Sequence, residues 1–201
     1  MSLFVLATAN PDKAAEIEAV LNDAGAPVTL QMRDPSLPDV EETGATLEEN
    51  ARLKAIDVCE RTGMPAIADD TGLEVDALGG APGVRSARFA GDHASYDDNV
   101  RELLDRLRDV PETLRSARFA TVAIARWPDG HEIAALGTVD GVIAIEPRGG
   151  NGFGYDPVFV PVEGDGRTFG EMEPAEKHAC SHRGRAFRTL ADGLRILSES
   201  T

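Results

Sequence analysis

The stretch LFVLATANPDK, residues 3–13, decides the fold class. Its first five residues, Leu3 to Ala7, form an unbroken apolar run of the length expected for a buried strand. Asn10 followed by Pro11 then reads as a helix start. An asparagine side chain accepts hydrogen bonds from first-turn amides, and proline is tolerated at the first helical position. Ile17, Val20 and Leu21 continue the apolar face until Gly25 ends the helix. A strand that runs straight into a helix is the opening half of an α/β unit.

Working outward, residues 28–32 read as a second strand, and residues 33–44 as a loop carrying Pro35, Pro38, Glu41 and Glu42. Thr46-Leu47-Glu48-Glu49 is a capping box, so a helix is expected from there to about Thr62, with Gly63 beyond its end. Residues 66–68 form a short strand that runs into Asp69-Asp70-Thr71-Gly72, and residues 73–91 read as glycine-rich loop. Ser95 to Asp98 cap a further helix, with Val100, Leu103, Leu104 and Leu107 at the spacing of one buried face. Residues 118–126 and 132–139 alternate as strands around the turn Trp127-Pro128-Asp129-Gly130, and residues 142–145 read as a third strand of that group. A second glycine-rich loop at 149–157 precedes a short strand at 158–160. The last helix runs from about His182 to Leu197, with a core stripe of Phe187, Leu190, Leu194 and Leu197. Helices interleaved with strands and a hairpin predict an α/β fold with a mixed central β-sheet flanked by helices. No repeat or linker interrupts the pattern, so residues 1–201 read as a single domain with two lobes sharing one sheet.

Charge narrows the partners. Twenty basic against 35 acidic side chains leave a net charge of −15, which argues against sequence-independent binding to a nucleic-acid polymer or an anionic membrane. The two cysteines, Cys59 and Cys180, have no CxxC spacing, so neither a disulfide framework nor a zinc ribbon is expected. The N-terminus lacks the basic flank and long apolar core of a signal peptide, and a cytoplasmic location is expected. Most of the acidity reads as solvated surface. The lysines say more: of 20 basic residues only Lys13, Lys54 and Lys177 are lysine.

Four segments carry the candidate chemistry. The turn Thr8 to Lys13 presents a helix N-terminus, with its amides and dipole, beside a full positive charge. It lacks the spacing of a Walker A loop, and an ordinary Asn-capped turn is the alternative. The carboxylates Glu41, Glu42, Asp69 and Asp70 supply the oxygen-rich surroundings that Mg²⁺ prefers, with waters and substrate phosphates completing its shell. Within a strand Asp69 and Asp70 point to opposite faces, so at most one serves a given site unless the backbone turns. Solvated loop charge, and for Asp70 a turn residue before Gly72, are the alternatives. The loop Gly152-Phe153-Gly154-Tyr155-Asp156-Pro157 sets two aromatics where they stack on a planar base or cover the core. Lys177, His182 and Arg183 suit an anion or base edge near a helix start; otherwise they are surface cations. His178, Cys180 and His182 do not suit zinc, because i, i+2, i+4 spacing converges only on a strand and this run opens a helix. Aromatics for a base, lysines for phosphates and carboxylates for a metal together describe a nucleoside triphosphate.

These motifs resemble the inosine triphosphate pyrophosphatase family, in particular its bacterial dITP/XTP pyrophosphatases. The matching blocks are ATANPDK (7–13), EETGATLEENARLKA (41–55), AIADDTGLEVDALGGAPGVRSARFAG (66–91), GFGYDPVF (152–159) and Lys177 with SHRG (181–184), in family order. The resemblance implies two lobes with the active-site cleft between them, and a homodimer. The implied activity is hydrolysis of non-standard purine nucleoside triphosphates (ITP, dITP, XTP) to the monophosphate and pyrophosphate with Mg²⁺. It implies Asp70 as proton acceptor, and Glu41 and Asp70 as metal ligands. The implied substrate contacts are Thr8, Ala9, Asn10, Pro11, Asp12, Lys13, Lys54, Thr71, Phe153, Gly154, Tyr155, Asp156, Lys177, His182 and Arg183. Three positions depart from the family: Thr71 replaces the usual serine but keeps the hydroxyl, Arg85 stands where an aromatic is common, and Ala9 replaces a frequent glycine. A pyrimidine-specific pyrophosphatase of the Maf type and a non-catalytic nucleotide-binding regulator are the competing readings. The FGYD and SHRG elements favour the purine enzyme, and the retained Glu41, Asp69 and Asp70 favour turnover.

Overall fold

The computed structural model describes residues 2–199. The apolar opening run becomes β1 (Ser2–Leu6), Asn10 caps α1 (Pro11–Asp23), and β2 (Val28–Met32) returns parallel to β1 with Ser2 opposite Val28 and Leu6 opposite Met32. The capping box of Thr46 and Glu49 starts α2 (Leu47–Thr62), which Gly63 ends in the left-handed conformation. Then follow β3 (Ala66–Val75), β4 (Pro82–Gly83), α3 (Tyr96–Arg106), β5 (Ser116–Arg126), β6 (Glu132–Ile143), β7 (Phe159–Pro161), α4 (Pro174–Cys180) and α5 (His182–Glu199). The strand order is β2-β1-β3-β5-β6-β7, with β4 on β3. β1 pairs with β2 and β3 in parallel, whereas β4 on β3 and β7 on β6 are antiparallel. The expected α/β fold with a mixed, helix-flanked sheet is what forms.

The chain divides into two compact units. Among the described residues, one comprises 2–70, 121–137 and 183–199, the other 71–120 and 138–182. In the first unit, strand alternation sorts side chains onto two faces. Phe4, Leu6 and Ile67 pack with Ile17, Val20 and Leu21 of α1 and Phe187, Leu190 and Leu194 of α5. Val5, Ala66 and Ala68 point the other way and pack with Ala51, Ala55 and Val58 of α2. Leucine- or phenylalanine-sized side chains face α1 and α5, and small ones let α2 approach closely. The second unit has its own core, in which Val100, Leu103 and Leu107 at the predicted spacing meet Leu73, Val75, Phe119, Phe159 and Phe169.

Four elements differ from the sequence-based expectation. β3 does not stop at Ala68 but runs ten residues to Val75, because Leu73 and Val75 are buried and Glu74 is exposed, a period-two pattern that the turn-like Asp-Asp-Thr-Gly run obscures. Pro82–Gly83 within the expected loop adds an edge pairing to β3. No separate strand covers 142–145, since β6 continues unbroken to Ile143. Residues 174–180 form a short helix, begun by Pro174 at its first position and the Glu173/Glu176 box.

Candidate active site

Strand parity, carried two residues past the core, places the catalytic candidates. Asp69 follows Ile67 onto the face of α1 and α5, and Asp70 follows Ala68 onto the face of α2. Each carboxylate meets a lysine from the helix it faces. Lys13 Nζ of α1 lies 3.3 Å from Asp69 Oδ2, and Lys54 Nζ of α2 lies 2.8 Å from Asp70 Oδ1. Both acids are buried, at 2% and 6% exposure.

The turn before α1 fixes Lys13. Thr8 Oγ1 accepts from the Asn10 amide at 3.1 Å, and Asn10 Oδ1 accepts from the amides of Asp12 (2.9 Å) and Lys13 (3.2 Å). Asn10 therefore satisfies two of the helix-start amides itself, leaving the Lys13 ammonium as the stronger attraction for an anion. Ala9, Pro11 and Asp12 are exposed on this turn. Arg183, at the start of α5, is 2% exposed; its Nη1 donates to Glu16 Oε2 at 2.5 Å and its Nε lies 3.6 Å from Asp69 Oδ2. Burial alone pushes the Asp69 carboxyl up, but Lys13, Arg183 and Lys54 outweigh it and hold the group well below the ordinary carboxylate range. Lys13 moves down, because burial outweighs the attraction of Asp69.

The Asp70 side is built differently. Lys54 is in direct contact with it, and Asn50 Nδ2 stands 3.5 Å from Asp70 Oδ2. Burial pushes Asp70 above the ordinary carboxylate range, which Lys54 and Lys13 do not cancel. Burial lowers Lys54, but Asp70, Asp69 and Glu42 together raise it on balance. Neighbouring acids on one strand are thus driven apart, one locked as an anion and one left more basic.

Glu42 joins this group and Glu41 does not: Glu42 Oε1 lies 3.2 Å from Lys54 Nζ, whereas Glu41 is exposed. The loop reaches the site because Gly44 lies against the start of α2. Its amide donates to Asn50 Oδ1 at 2.8 Å, and a Cβ there would stand 2.6 Å from both Asn50 Oδ1 and Glu49 Cβ. Only glycine permits that approach.

The second unit holds the aromatic loop. Asp156 Oδ2 accepts from the Phe153 amide at 2.8 Å and from Lys177 Nζ at 2.5 Å, closing the loop into a tight turn. Gly152 has φ 71° and a Cβ there would clash with Asp156, so this position also requires glycine. The Phe153 ring is half-buried, with Lys177 Nζ 4.9 Å from its centroid and the Tyr96 ring 5.7 Å away. Gly154 stands half-buried beside it. Tyr155 turns inward, its hydroxyl donating to Ser86 O at 2.9 Å, and burial pushes that hydroxyl above its ordinary range. The His182 ring is buried and stacked on Phe119, centroids 4.3 Å apart and 15° from parallel. Thr71 is half-buried on β3.

Glu16, Glu42 and Asn50 therefore belong with the residues expected from sequence. Glu16 carried a readable signal: it lies three residues after Lys13, hence on the same helix face, beside the buried Ala14 and Ile17.

The chain matches the Ham1 family model over residues 4–193. A protein named dITP/XTP pyrophosphatase from Streptomyces avermitilis is 48% identical over 199 residues, covering 98% of this chain and 99% of the relative. One of the same name from Shigella flexneri is 46% identical, covering 97% and 99%. A Ham1 protein structure from Coxiella burnetii superposes with a TM-score of 0.86 at 40% identity, covering 99% of this chain and 100% of that one. A match of that length, taking in both lysine–carboxylate pairs, leaves one conclusion: the chain belongs to the Ham1 family.

Proposed function

We propose that this chain hydrolyses non-standard purine nucleoside triphosphates (ITP, dITP and XTP) to the nucleoside monophosphate and pyrophosphate, removing them before incorporation into DNA or RNA. The observation that carries the reading is the pair of adjacent buried acids, each with its own lysine, in a chain whose relatives are named dITP/XTP pyrophosphatases. Residues 1–201 act as one nucleoside-triphosphate pyrophosphatase domain.

Asp70 is the proton acceptor for the attacking water. Burial leaves its carboxylate more basic than an ordinary aspartate in the metal-free protein. Asp69, locked as an anion, holds Lys13 and Arg183 in place. Lys13 and Lys54 supply positive charge to the phosphates, and Thr8 to Asp12 shape the turn around them. The donor set beside Lys54 is all oxygen: Asp70, Glu42 and, on the same loop, Glu41. Among the described residues no group of three or more His, Cys, Asp and Glu is placed to hold a metal ion. Mg²⁺ takes as few as one or two carboxylates and completes its shell with water and substrate oxygens. Glu41 and Asp70 would hold the ion, with Glu42 adjacent, and bound there it would supply positive charge against the developing phosphate charge.

For the nucleoside, the half-buried ring of Phe153 offers a stacking surface, backed by Gly154, Tyr155, Asp156 and Lys177. Thr71, His182 and Arg183 complete the proposed substrate contacts. Arg183 has five N–H donors, so the contacts to Glu16 and Asp69 are compatible with reading a purine 6-oxygen. We further propose a cytoplasmic homodimer; among the described residues no helix is long and apolar enough to cross a membrane.

The test is kcat/KM for pyrophosphate release from ITP, dITP, XTP, GTP and ATP, with Mg²⁺ and with chelator. The expected result is metal-dependent turnover preferring the first three over ATP by at least ~10²-fold. Equal use of ATP, or no pyrophosphate from any of them, overturns the reading.

A further inference from the structure

Within the second unit, Phe153 carries a ring that its own loop does not hold. Asp156 fixes the backbone by accepting from the Phe153 amide at 2.8 Å, and Lys177 in turn holds Asp156. A backbone bond leaves the side-chain torsions of the ring unset. The neighbours in sequence give no help, because Gly152 (φ 71°) and Gly154 (φ 63°) have no side chain to pack against it. Lys177 Nζ and Tyr96 reach the ring from other elements. The ammonium lies 4.9 Å from the Phe153 centroid, and the Tyr96 ring centre 5.7 Å away with the planes 35° apart. That separation is within the range of attractive aromatic pairs. Tyr96 is the first residue of α3, and a capping box fixes that helix start. Ser95 Oγ accepts from the Asp98 amide at 3.1 Å, and Asp98 Oδ2 accepts from the Ser95 amide at 3.0 Å. Val100 and Leu103 anchor the same helix in the core. Phe119, Phe159 and Phe169 are buried in that core, whereas Tyr96 is 40% exposed and Phe153 half-buried.

We propose that Tyr96 is a positioning residue for the nucleoside: its ring holds the Phe153 ring ready to stack on the base. The inference rests on Phe153 as the stacking surface, as proposed above. A ring free to rotate gives up that freedom only when the base arrives, at a cost to affinity. A ring held by a neighbour on a capped, core-anchored helix has given it up during folding, and binds the same base more tightly. The contact is ring on ring, so the aromatic face of Tyr96 matters and its hydroxyl does not. Stacking ignores the exocyclic groups that distinguish purines, so Tyr96 strengthens binding of the nucleoside without choosing among purine bases. The phosphates are outside its influence.

Calorimetric titration with IMP and with pyrophosphate, each with Mg²⁺, tests this on wild type, Tyr96→Ala, Tyr96→Leu, Tyr96→Phe, Phe153→Ala and the double variant Tyr96→Ala with Phe153→Ala. Tyr96→Ala should weaken IMP binding about 3–10-fold, the share an aromatic pair contributes, and leave pyrophosphate within about twofold of wild type. Tyr96→Phe should restore IMP binding, and Tyr96→Leu, apolar but without a ring, should not. With Phe153→Ala already present, Tyr96→Ala should cost less than about twofold more, because it acts through that ring. In steady-state kinetics on ITP, Tyr96→Ala should raise KM while kcat stays within about twofold. Unaltered IMP binding in Tyr96→Ala, full rescue by Tyr96→Leu, or an equal loss of pyrophosphate binding overturns the proposal. A loss in Phe153→Ala that Tyr96→Ala does not share leaves the stacking reading standing and removes Tyr96 alone, whereas no loss in Phe153→Ala removes both.

Discussion

Asp69 and Asp70 are sequence neighbours of identical chemistry, yet replacing each with asparagine should move stability in different directions. Asp69 is buried between Lys13 at 3.3 Å and Arg183 at 3.6 Å. Its pKa in the fold lies well below that of the unfolded chain, so the anion contributes stability. That contribution is complete above the unfolded value of about 3.9 and is lost as pH falls below it. Asp69→Asn leaves Lys13 and Arg183 facing one another across an uncharged amide. Breaking a buried ion pair from one side typically costs about 3–5 kcal/mol. For a chain of this length each kcal/mol lowers Tm by roughly 2–4 °C, so a drop of about 6–12 °C is expected even at the lower figure. Asp70 has the opposite sign. Burial raises its pKa above the unfolded value, so the fold prefers the neutral form, and Asp70→Asn approximates that form at every pH. Lys54 keeps Glu42 in that variant. Its Tm should equal wild type or exceed it, while kcat falls by ~10²–10⁴-fold. The assay is calorimetric Tm at pH 7.5 for both variants beside pyrophosphate release. If Asp70→Asn loses as much Tm as Asp69→Asn, the division of labour drawn here from strand parity is refuted.

Other outcomes follow from the same geometry. Lys13→Ala should lower kcat/KM by ~10²-fold or more, and Lys13→Arg should recover only part, as steady-state kinetics on ITP will show. Gly44→Ala forces a Cβ to within 2.6 Å of Asn50 and Glu49, which should destabilise the fold by about 1–3 kcal/mol and withdraw Glu42 from Lys54; Tm and kcat together report this. Arg183→Ala should reduce ITP turnover and shrink the ITP-to-ATP ratio of kcat/KM. An unchanged ratio with reduced Tm would assign Arg183 to holding Asp69 alone.

Much of this arrangement is legible in the chain. LFVLATANPDK specifies β1, the Asn10 cap and the start of α1, because a continuous apolar run and a cap-plus-proline signal are both local. The capping box fixes α2 in the same way, and with it the register that brings Asn50 and Lys54 to one face, four residues apart. Even the separation of Asp69 from Asp70 follows from the period of two in a strand. What escapes the sequence is tertiary. Glu42 rather than Glu41 touches Lys54 because Gly44 packs on Asn50, a contact between a loop and a helix that no spacing encodes. Glu16 becomes part of the charge group only once the start of α5 lies beside α1. His182 looks like a surface cation in a polar run, yet Phe119, 63 positions earlier, supplies the ring it stacks on. The true length of β3 is hidden because turn-forming residues sit inside a strand, where the charges around them outweigh their local preference.

Hydrolysis between the α- and β-phosphates cleaves one bond, with Asp70 taking the proton of the attacking water. Its most direct test is product stoichiometry from ITP with Mg²⁺, followed by ³¹P NMR for wild type and Asp70→Asn at equal concentration of folded protein. The account predicts IMP and pyrophosphate in equal amounts with no IDP or orthophosphate, and a rate at least ~10²-fold lower in the variant. IDP with orthophosphate, or a variant that retains half the wild-type rate, would contradict it.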